Sequence, residues 1–196
     1  MPTKSHLGLD ANGKEFDQTV YRSMIGSLLY LCASRPDIML SVCMCAQFQA
    51  EPKESHHLAM KRILRYLAYT PTLGLWYPKG SEFDLVGLPD ADYAGDKLLW
   101  MKQTLKYYGI HLKQVPLYCD NESALKIANN PVQHSKTKHI EIRHHFLRDH
   151  VMKGDIDIIH VKTEEQLADI FTKTLDEKRF CKLRCELNIL ESSNVL

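Results

Sequence analysis

The stretch Pro89–Trp100, "PDADYAGDKLLW", decides the fold class, because it places Asp90 and Asp92 in a turn between a strand pattern and a helix pattern. The strand-like run "FDLVGL" precedes this turn, and the helix-like run "LLWMKQTLKYYG" follows it. In open parallel sheets, functional groups collect at the carboxyl ends of the strands. A carboxylate at this position therefore predicts one ligand of a metal site, if further acids follow the neighbouring strands.

The rest of the second half continues the alternation of strand and helix. Two more strand patterns, "QVPLYCD" and "GDIDIIHVKT", are interleaved with the helix patterns "NESALKIANN" and "IEIRHHFLRDHVM" and followed by "EEQLADIFTKTL". Strands that alternate with helices form mostly parallel sheets with helical cover. We expect an α/β domain with a reduced, mostly parallel sheet of about three strands.

The first 80 residues read differently, as three amphipathic helices. The first two are "YRSMIGSLLYLCAS" and "RPDIMLSVCMCAQFQ", where Pro36 stands in the first turn and Asp37 complements the helix dipole. The third is "KESHHLAMKRILRYLAYT", with Met60, Ile63, Leu64 and Leu67 on one side. These patterns predict a helical N-terminal subdomain, and "YPKGSEF" is the expected boundary.

Two further acids complete a candidate metal site with Asp90. Asp120 ends the second strand, and Asp169 lies one to two turns into the predicted last helix, facing away from its buried side. Mg²⁺, or Mn²⁺ in its place, prefers such carboxylate oxygens, and a pair of these ions can hydrolyse a phosphodiester. The alternative is that these aspartates only form turns or cap helices.

Other metal chemistry finds less support. Among His139, His144, His145 and His150, no two are three or four residues apart, so no zinc pair on one helix face is expected. The six cysteines include no C-x-x-C pair and are expected to be reduced thiols.

Two groups of basic residues are candidate nucleic-acid contacts. The predicted third helix carries Lys61, Arg62 and Arg65, and the stretch from 136 to 148 carries Lys136, Lys138, Arg143 and Arg148. Cations beside a phosphate backbone bind it by releasing counterions. The alternative is a solvated helix face. The net charge of +1 means that any affinity for nucleic acid depends on such local patches.

Composition narrows the protein class. With 196 residues and 44% hydrophobic content, the chain can bury a core. It has no run of 18 apolar residues, and "MPTKSHLGLD" lacks the layout of a signal peptide. We expect an intracellular, non-secreted protein with no membrane span.

Five long strings resemble the C-terminal part of copia-type retrotransposon Pol polyproteins. They are "YRSMIGSLLYLCASRPDIMLSVCMCAQF", "SHHLAMKRILRYLAYTPTLGLWY", "DADYAG", "YCDNESALKIANNPVQHSKTKHIEIRHHFLRDHV" and "EEQLADIFTKTLDEKRF". The resemblance implies a thumb or connection segment of reverse transcriptase over residues 1–80, a ribonuclease H-like domain over 81–190 and a tail over 191–196. It also implies that Asp90, Asp120 and Asp169 match catalytic, metal-binding acids, and that the partner is an RNA–DNA hybrid or another nucleic acid.

The chain also departs from this family. Only 30 positions separate Asp90 from Asp120, which leaves no room for the family's second and third strands or for its catalytic glutamate. No glutamate occurs between Glu82 and Glu122. The resemblance therefore implies a truncated ribonuclease H-like domain with impaired or lost hydrolysis, and no polymerase active site. The alternatives are a non-catalytic nucleic-acid-binding module and a pseudogene or mis-spliced product without function.

Overall fold

The computed structural model describes residues 7–80, 84–88, 94–120 and 148–194. The chain forms two compact units, one of residues Met1–Ser81 with Asp169–Leu196, the other of residues Glu82–Ala168. The division has one boundary at residue 81 and a second at Asp169. The segment from Asp169 onward, however, belongs to the first unit.

The first unit begins with three helices, as the periodicity predicted. They are α1 (Gln18–Leu31), α2 (Met39–Ala46) and α3 (Glu54–Tyr69), with a 3-10 turn at Pro36–Ile38 before α2. The side chain of Asp17 caps α1 by accepting a hydrogen bond from the backbone N–H of Val20 at 2.8 Å. Capping satisfies a backbone donor that has no partner within the helix.

One hydrophobic core holds these helices together. Its buried members come from all three helices and from the 3-10 turn: Tyr21, Ile25, Leu28, Cys32, Ile38, Val42, Cys45, Ala59, Met60 and Ile63. On α3 the prediction was right for Met60 and Ile63 but wrong for Leu64, which is 43% exposed. Leu64 follows Ile63 by one position, so the helical turn of about 100° moves it off the buried stripe.

The C-terminal segment adds two helices and a strand to the first unit. These are α5 (Asp169–Thr172), α6 (Glu177–Glu186) and β4 (Ile189–Glu191). Strand β4 pairs antiparallel with β1 (Leu73–Leu75), so that Leu73 lies opposite Glu191. Neither strand was predicted, because three residues are too few to show an alternating pattern.

The second unit contains the parallel sheet. Helix α4 (Ala94–Tyr107) precedes β2 (Val115–Cys119), which pairs in parallel with β3 (Ile156–His160). On the other edge of β2, Gly87 forms a parallel bridge with Leu117, accepting from Tyr118 N and donating to Pro116 O, both at 2.8 Å. The three predicted strand segments are therefore neighbours and parallel in the described part of the chain.

The core of this unit lies under α4. Leu85, Leu98, Val115, Leu117 and Ile156 form a buried cluster. Gly87 packs closely against two leucine side chains, because a Cβ atom at this position would lie 2.5 Å from Leu117 Cδ1 and 2.7 Å from Leu98 Cδ2. A side chain at this position would require the ends of Leu117 and Leu98 to move.

The last predicted helix is interrupted. Glu164 and Glu165 belong to a separate 3-10 turn, Thr163–Glu165, and the α-helix starts only at Asp169. Gln166 has extended backbone angles (φ −72°, ψ 103°) and is buried, and its Nε2 donates to Tyr118 O at 3.4 Å. This tertiary contact favours an extended Gln166 over a continuous helix.

In the described residues, no helix combines the length and the apolar character that crossing a membrane requires.

Candidate metal and nucleic-acid-binding residues

Asp120 lies where the sequence predicted it, directly after β2 at the carboxyl end of the strand. Its side chain is half-buried. The preceding residue, Cys119, accepts a backbone hydrogen bond from Val161 at 3.1 Å, which ties the ends of β2 and β3 together. Asp90, its expected partner, lies outside the described residues, so their proximity stays a prediction.

Asp169 is in a different environment from the predicted one. It is the first residue of α5, not one to two turns into a helix, and it is only 2% exposed. Its Oδ1 lies 2.7 Å from Lys173 Nζ, and its Oδ2 lies 2.6 Å from Arg179 Nη2. A buried carboxylate needs such partners, because removing a charge from water is costly. Both oxygens of Asp169 are thus already paired with cations.

This pairing determines whether the described acids fit a magnesium ion. Mg²⁺ requires free oxygen ligands in a near-octahedral arrangement. Asp169, as arranged, shares both carboxylate oxygens with cations, Lys173 and Arg179. Within the described ranges, no three His, Cys, Asp or Glu side chains are grouped as metal ligands would be. The described residues therefore do not form a Mg²⁺ or Mn²⁺ site by themselves, and the site expected from Asp90, Asp120 and Asp169 stays a prediction because Asp90 lies outside them.

The basic residues of α3 lie where the sequence predicted. Lys61, Arg62 and Arg65 are exposed; Lys61 and Arg65 lie on the side of α3 away from the buried Ala59 and Met60, and Arg62 lies at the edge of that side. We call these three residues the basic face of α3. In the described part of the chain, none of them forms an ion pair. Tyr69, one turn beyond Arg65, is 81% exposed.

Most of the second basic group lies outside the part of the chain that the structure describes. Lys136, Lys138 and Arg143 lie outside the described residues. Arg148 is described, and it is half-buried at the start of the helical residues 148–152. Its role in binding nucleic acid stays a prediction.

A buried polar network in the first unit was missed by sequence reasoning. Arg35 donates from Nε and Nη2 to the two carboxylate oxygens of Asp37 at 2.9 and 2.8 Å, and both residues are buried. Tyr66 donates its hydroxyl proton to Asp37 Oδ2 at 2.7 Å. Asp37 is thus the ion-pair partner of Arg35, whereas the sequence analysis predicted only a favourable interaction with the helix dipole. The opposite charges two positions apart in "RPD" were the available signal.

Comparison with known proteins places the chain in a family. It is 34% identical to the retrovirus-related Pol polyprotein from transposon RE1 of Arabidopsis thaliana over 96% of this chain, and 32% identical to that from transposon RE2 over 97%. The corresponding polyprotein from transposon TNT 1-94 of Nicotiana tabacum is 30% identical over 83% of the chain. No family model and no solved structure matches.

The chain belongs to the copia-type, retrovirus-related Pol polyproteins of transposons, as the resemblance predicted. It spans about 16% of the length of these relatives. The alignment with the RE1 polyprotein runs over 236 residues although this chain has only 196, so at least 40 aligned positions (236 less 196) have no counterpart here.

Proposed function

We propose that this protein is a Pol remnant that binds RNA–DNA hybrids or other nucleic acid through phosphate contacts, while its ribonuclease H-type hydrolysis is impaired or lost. The observation that carries the proposal is the pairing of both Asp169 carboxylate oxygens with Lys173 and Arg179. A metal ion at Asp169 would compete with both of these cations for the charge of the carboxylate.

The sequence adds a second reason for impaired hydrolysis. No glutamate lies between Glu82 and Glu122, where the family resemblance implies a catalytic one. A two-metal site depends on its carboxylates to hold both ions, so the loss of one ligand weakens activation of the attacking water. The alignment gap of at least 40 positions is consistent with that loss (236 aligned residues less 196).

Binding is supported by the basic face of α3. Its three cations are exposed and project from a helix that the core holds in place. Contacts with phosphate and sugar suit an RNA–DNA hybrid, which is recognised mainly by its shape and its 2′-hydroxyl groups. Three phosphate contacts give a slope of roughly −2 to −3 for log affinity against log salt.

The hydrolysis part is tested with an RNA–DNA hybrid in Mg²⁺, comparing the full chain with Asp90→Asn and Asp120→Asn. We expect the full chain to release no more RNA fragments than the two variants do. Mg²⁺-dependent cleavage by the full chain that either substitution abolishes would overturn this part.

The binding part is tested by hybrid affinity at several salt concentrations, for the full chain and for Arg65→Met. We expect the variant to bind more weakly at every salt concentration and to have a shallower slope by about 1. A slope near zero for the full chain would refute phosphate contacts. Reading the genomic DNA between the codons for Asp96 and Leu98 separately tests a missed exon.

A further inference from the structure

The first unit contains a cavity of about 600 Å³ between α2, α3 and the segment from α5 to α6. Apolar side chains from both parts of the unit line it: Ile38, Met44, Ile63, Ile170, Leu175 and Phe180. Small-molecule sites in proteins commonly have volumes of roughly 300 to 1,000 Å³ and mostly apolar walls. The volume and the apolar lining of this cavity match those of a small-molecule site.

The charged residues that line the cavity favour an anion. Arg62, Lys173 and Arg184 contribute positive charge, whereas the lining carboxylates are Asp37 and Glu177. Asp37 is already neutralised by Arg35, and Lys173 by Asp169. Arg62 and Arg184 then face the single remaining carboxylate of Glu177, so the balance is positive.

Arg184 supplies a second, independent observation. Its Nη1 donates to Tyr66 Oη at 3.2 Å, but its Nε is buried and has no acceptor among the described residues. Buried polar groups almost always have a hydrogen-bond partner, and a missing one calls for an explanation. Arg184 also lines the cavity, so its incompletely paired guanidinium group would gain a charge-assisted interaction with an anion bound there.

From these observations we infer that the cavity binds a small amphiphilic anion. An alkyl or aromatic body would pack against the apolar wall, and a carboxylate or sulfonate head would pair with Arg62 and Arg184. This site overlaps the basic face of α3 at Arg62 but does not include Arg65. The proposed phosphate contacts use both Arg62 and Arg65, whereas only Arg62 of these two lines the cavity.

The probe is decanoate, titrated into the full chain by calorimetry and by displacement of 8-anilinonaphthalene-1-sulfonate fluorescence. We expect one saturable decanoate site that excludes the fluorescent sulfonate. Decanol has the same alkyl body without the charge, and we expect it to bind at least about fivefold more weakly. Equal affinity for decanol and decanoate would refute the role of the cations.

Two matched variants locate the site, since Arg62→Met and Arg65→Met each remove one exposed charge from the same helix. We expect Arg62→Met to weaken decanoate binding by roughly fivefold, and Arg65→Met to leave it unchanged. Circular dichroism checks that both variants keep their helices. Equal effects of the two substitutions, or no saturable binding up to about 1 mM decanoate, would overturn the proposal.

Discussion

Arg184 of α6 donates a hydrogen bond to the phenol oxygen of Tyr66 of α3, with 3.2 Å between Nη1 and Oη and 118 positions between the residues in sequence. The hydroxyl of Tyr66 in turn donates a hydrogen bond to Asp37 Oδ2 at 2.7 Å. Burial and the hydrogen bond to Asp37 raise the pKa of Tyr66, so its hydroxyl stays protonated at neutral pH and remains a donor. One phenol thus joins the C-terminal segment to the N-terminal helices.

We therefore expect Tyr66→Phe to destabilise the first unit by about 1 to 2 kcal/mol, because Asp37 loses one of its hydrogen bonds and Arg184 Nη1 loses its acceptor. Urea unfolding followed by circular dichroism measures the free energy of unfolding. The matched control is Tyr69→Phe, on the same helix at a side chain that is 81% exposed. Equal stability of the two variants would refute the role assigned to the Tyr66 hydroxyl.

Asp169→Asn distinguishes a structural aspartate from a metal ligand. In a cluster of carboxylates awaiting a metal, neutralising one acid relieves repulsion and stabilises the metal-free protein. Here it would remove the negative charge that Arg179 and Lys173 contact, so we expect a loss of about 2 kcal/mol in the free energy of unfolding. Chemical denaturation in the presence of a metal chelator measures this difference.

Lys173→Met removes one of the two cations that pair with Asp169, and its stability is compared with that of Asp169→Asn. Lys173 is half exposed, so its pairing with Asp169 is partly screened by water. We expect Lys173→Met to lower the free energy of unfolding by less than Arg179→Met does, since Arg179 is the more buried partner. If Asp169→Asn proves more stable than the unchanged chain, the structural assignment of Asp169 is wrong.

Periodicity was sufficient to predict α1 and α3, and the alternation of strand and helix was sufficient to predict the parallel pairing of β2 and β3. It was insufficient for Asp169, because its environment depends on Arg179, which reaches it from the following helix. The pairing of β1 with β4 joins two three-residue strands that lie far apart in sequence. Such contacts are tertiary and leave no local pattern.

Gly87→Ala tests the close packing of the sheet. A Cβ atom at this position would lie 2.5 Å from Leu117 Cδ1 and 2.7 Å from Leu98 Cδ2, so these core side chains must move. We expect a loss of about 1 to 3 kcal/mol in the stability of the second unit. Gly74→Ala is the control, because Gly74 also lies in a strand but has nothing within 4 Å of the added atom. Urea unfolding compares the two.

Asp155 holds together the amino end of the parallel sheet. Its Oδ1 accepts from Lys102 Nζ at 2.9 Å, and its Oδ2 lies 2.9 Å from His150 Nδ1. Its backbone carbonyl accepts from Val115 N at 3.0 Å, at the start of β2. The hydrogen bonds from Lys102 and then from His150 hold the pKa of Asp155 below its ordinary value of 3.8.

This lowered pKa predicts a specific acid sensitivity of the second unit. Because the unfolded chain binds the proton more readily, the stabilisation by Asp155 is fully present above the ordinary pKa of 3.8 and is lost as the pH falls through the lower folded value. The chain has two tryptophans, Trp76 in the first unit and Trp100 in the second, so Trp76→Phe leaves Trp100 as the reporter. In that background, we expect Asp155→Asn to flatten the dependence of the urea midpoint on pH below about 4. An unchanged dependence would show that Asp155 contributes no such stabilisation.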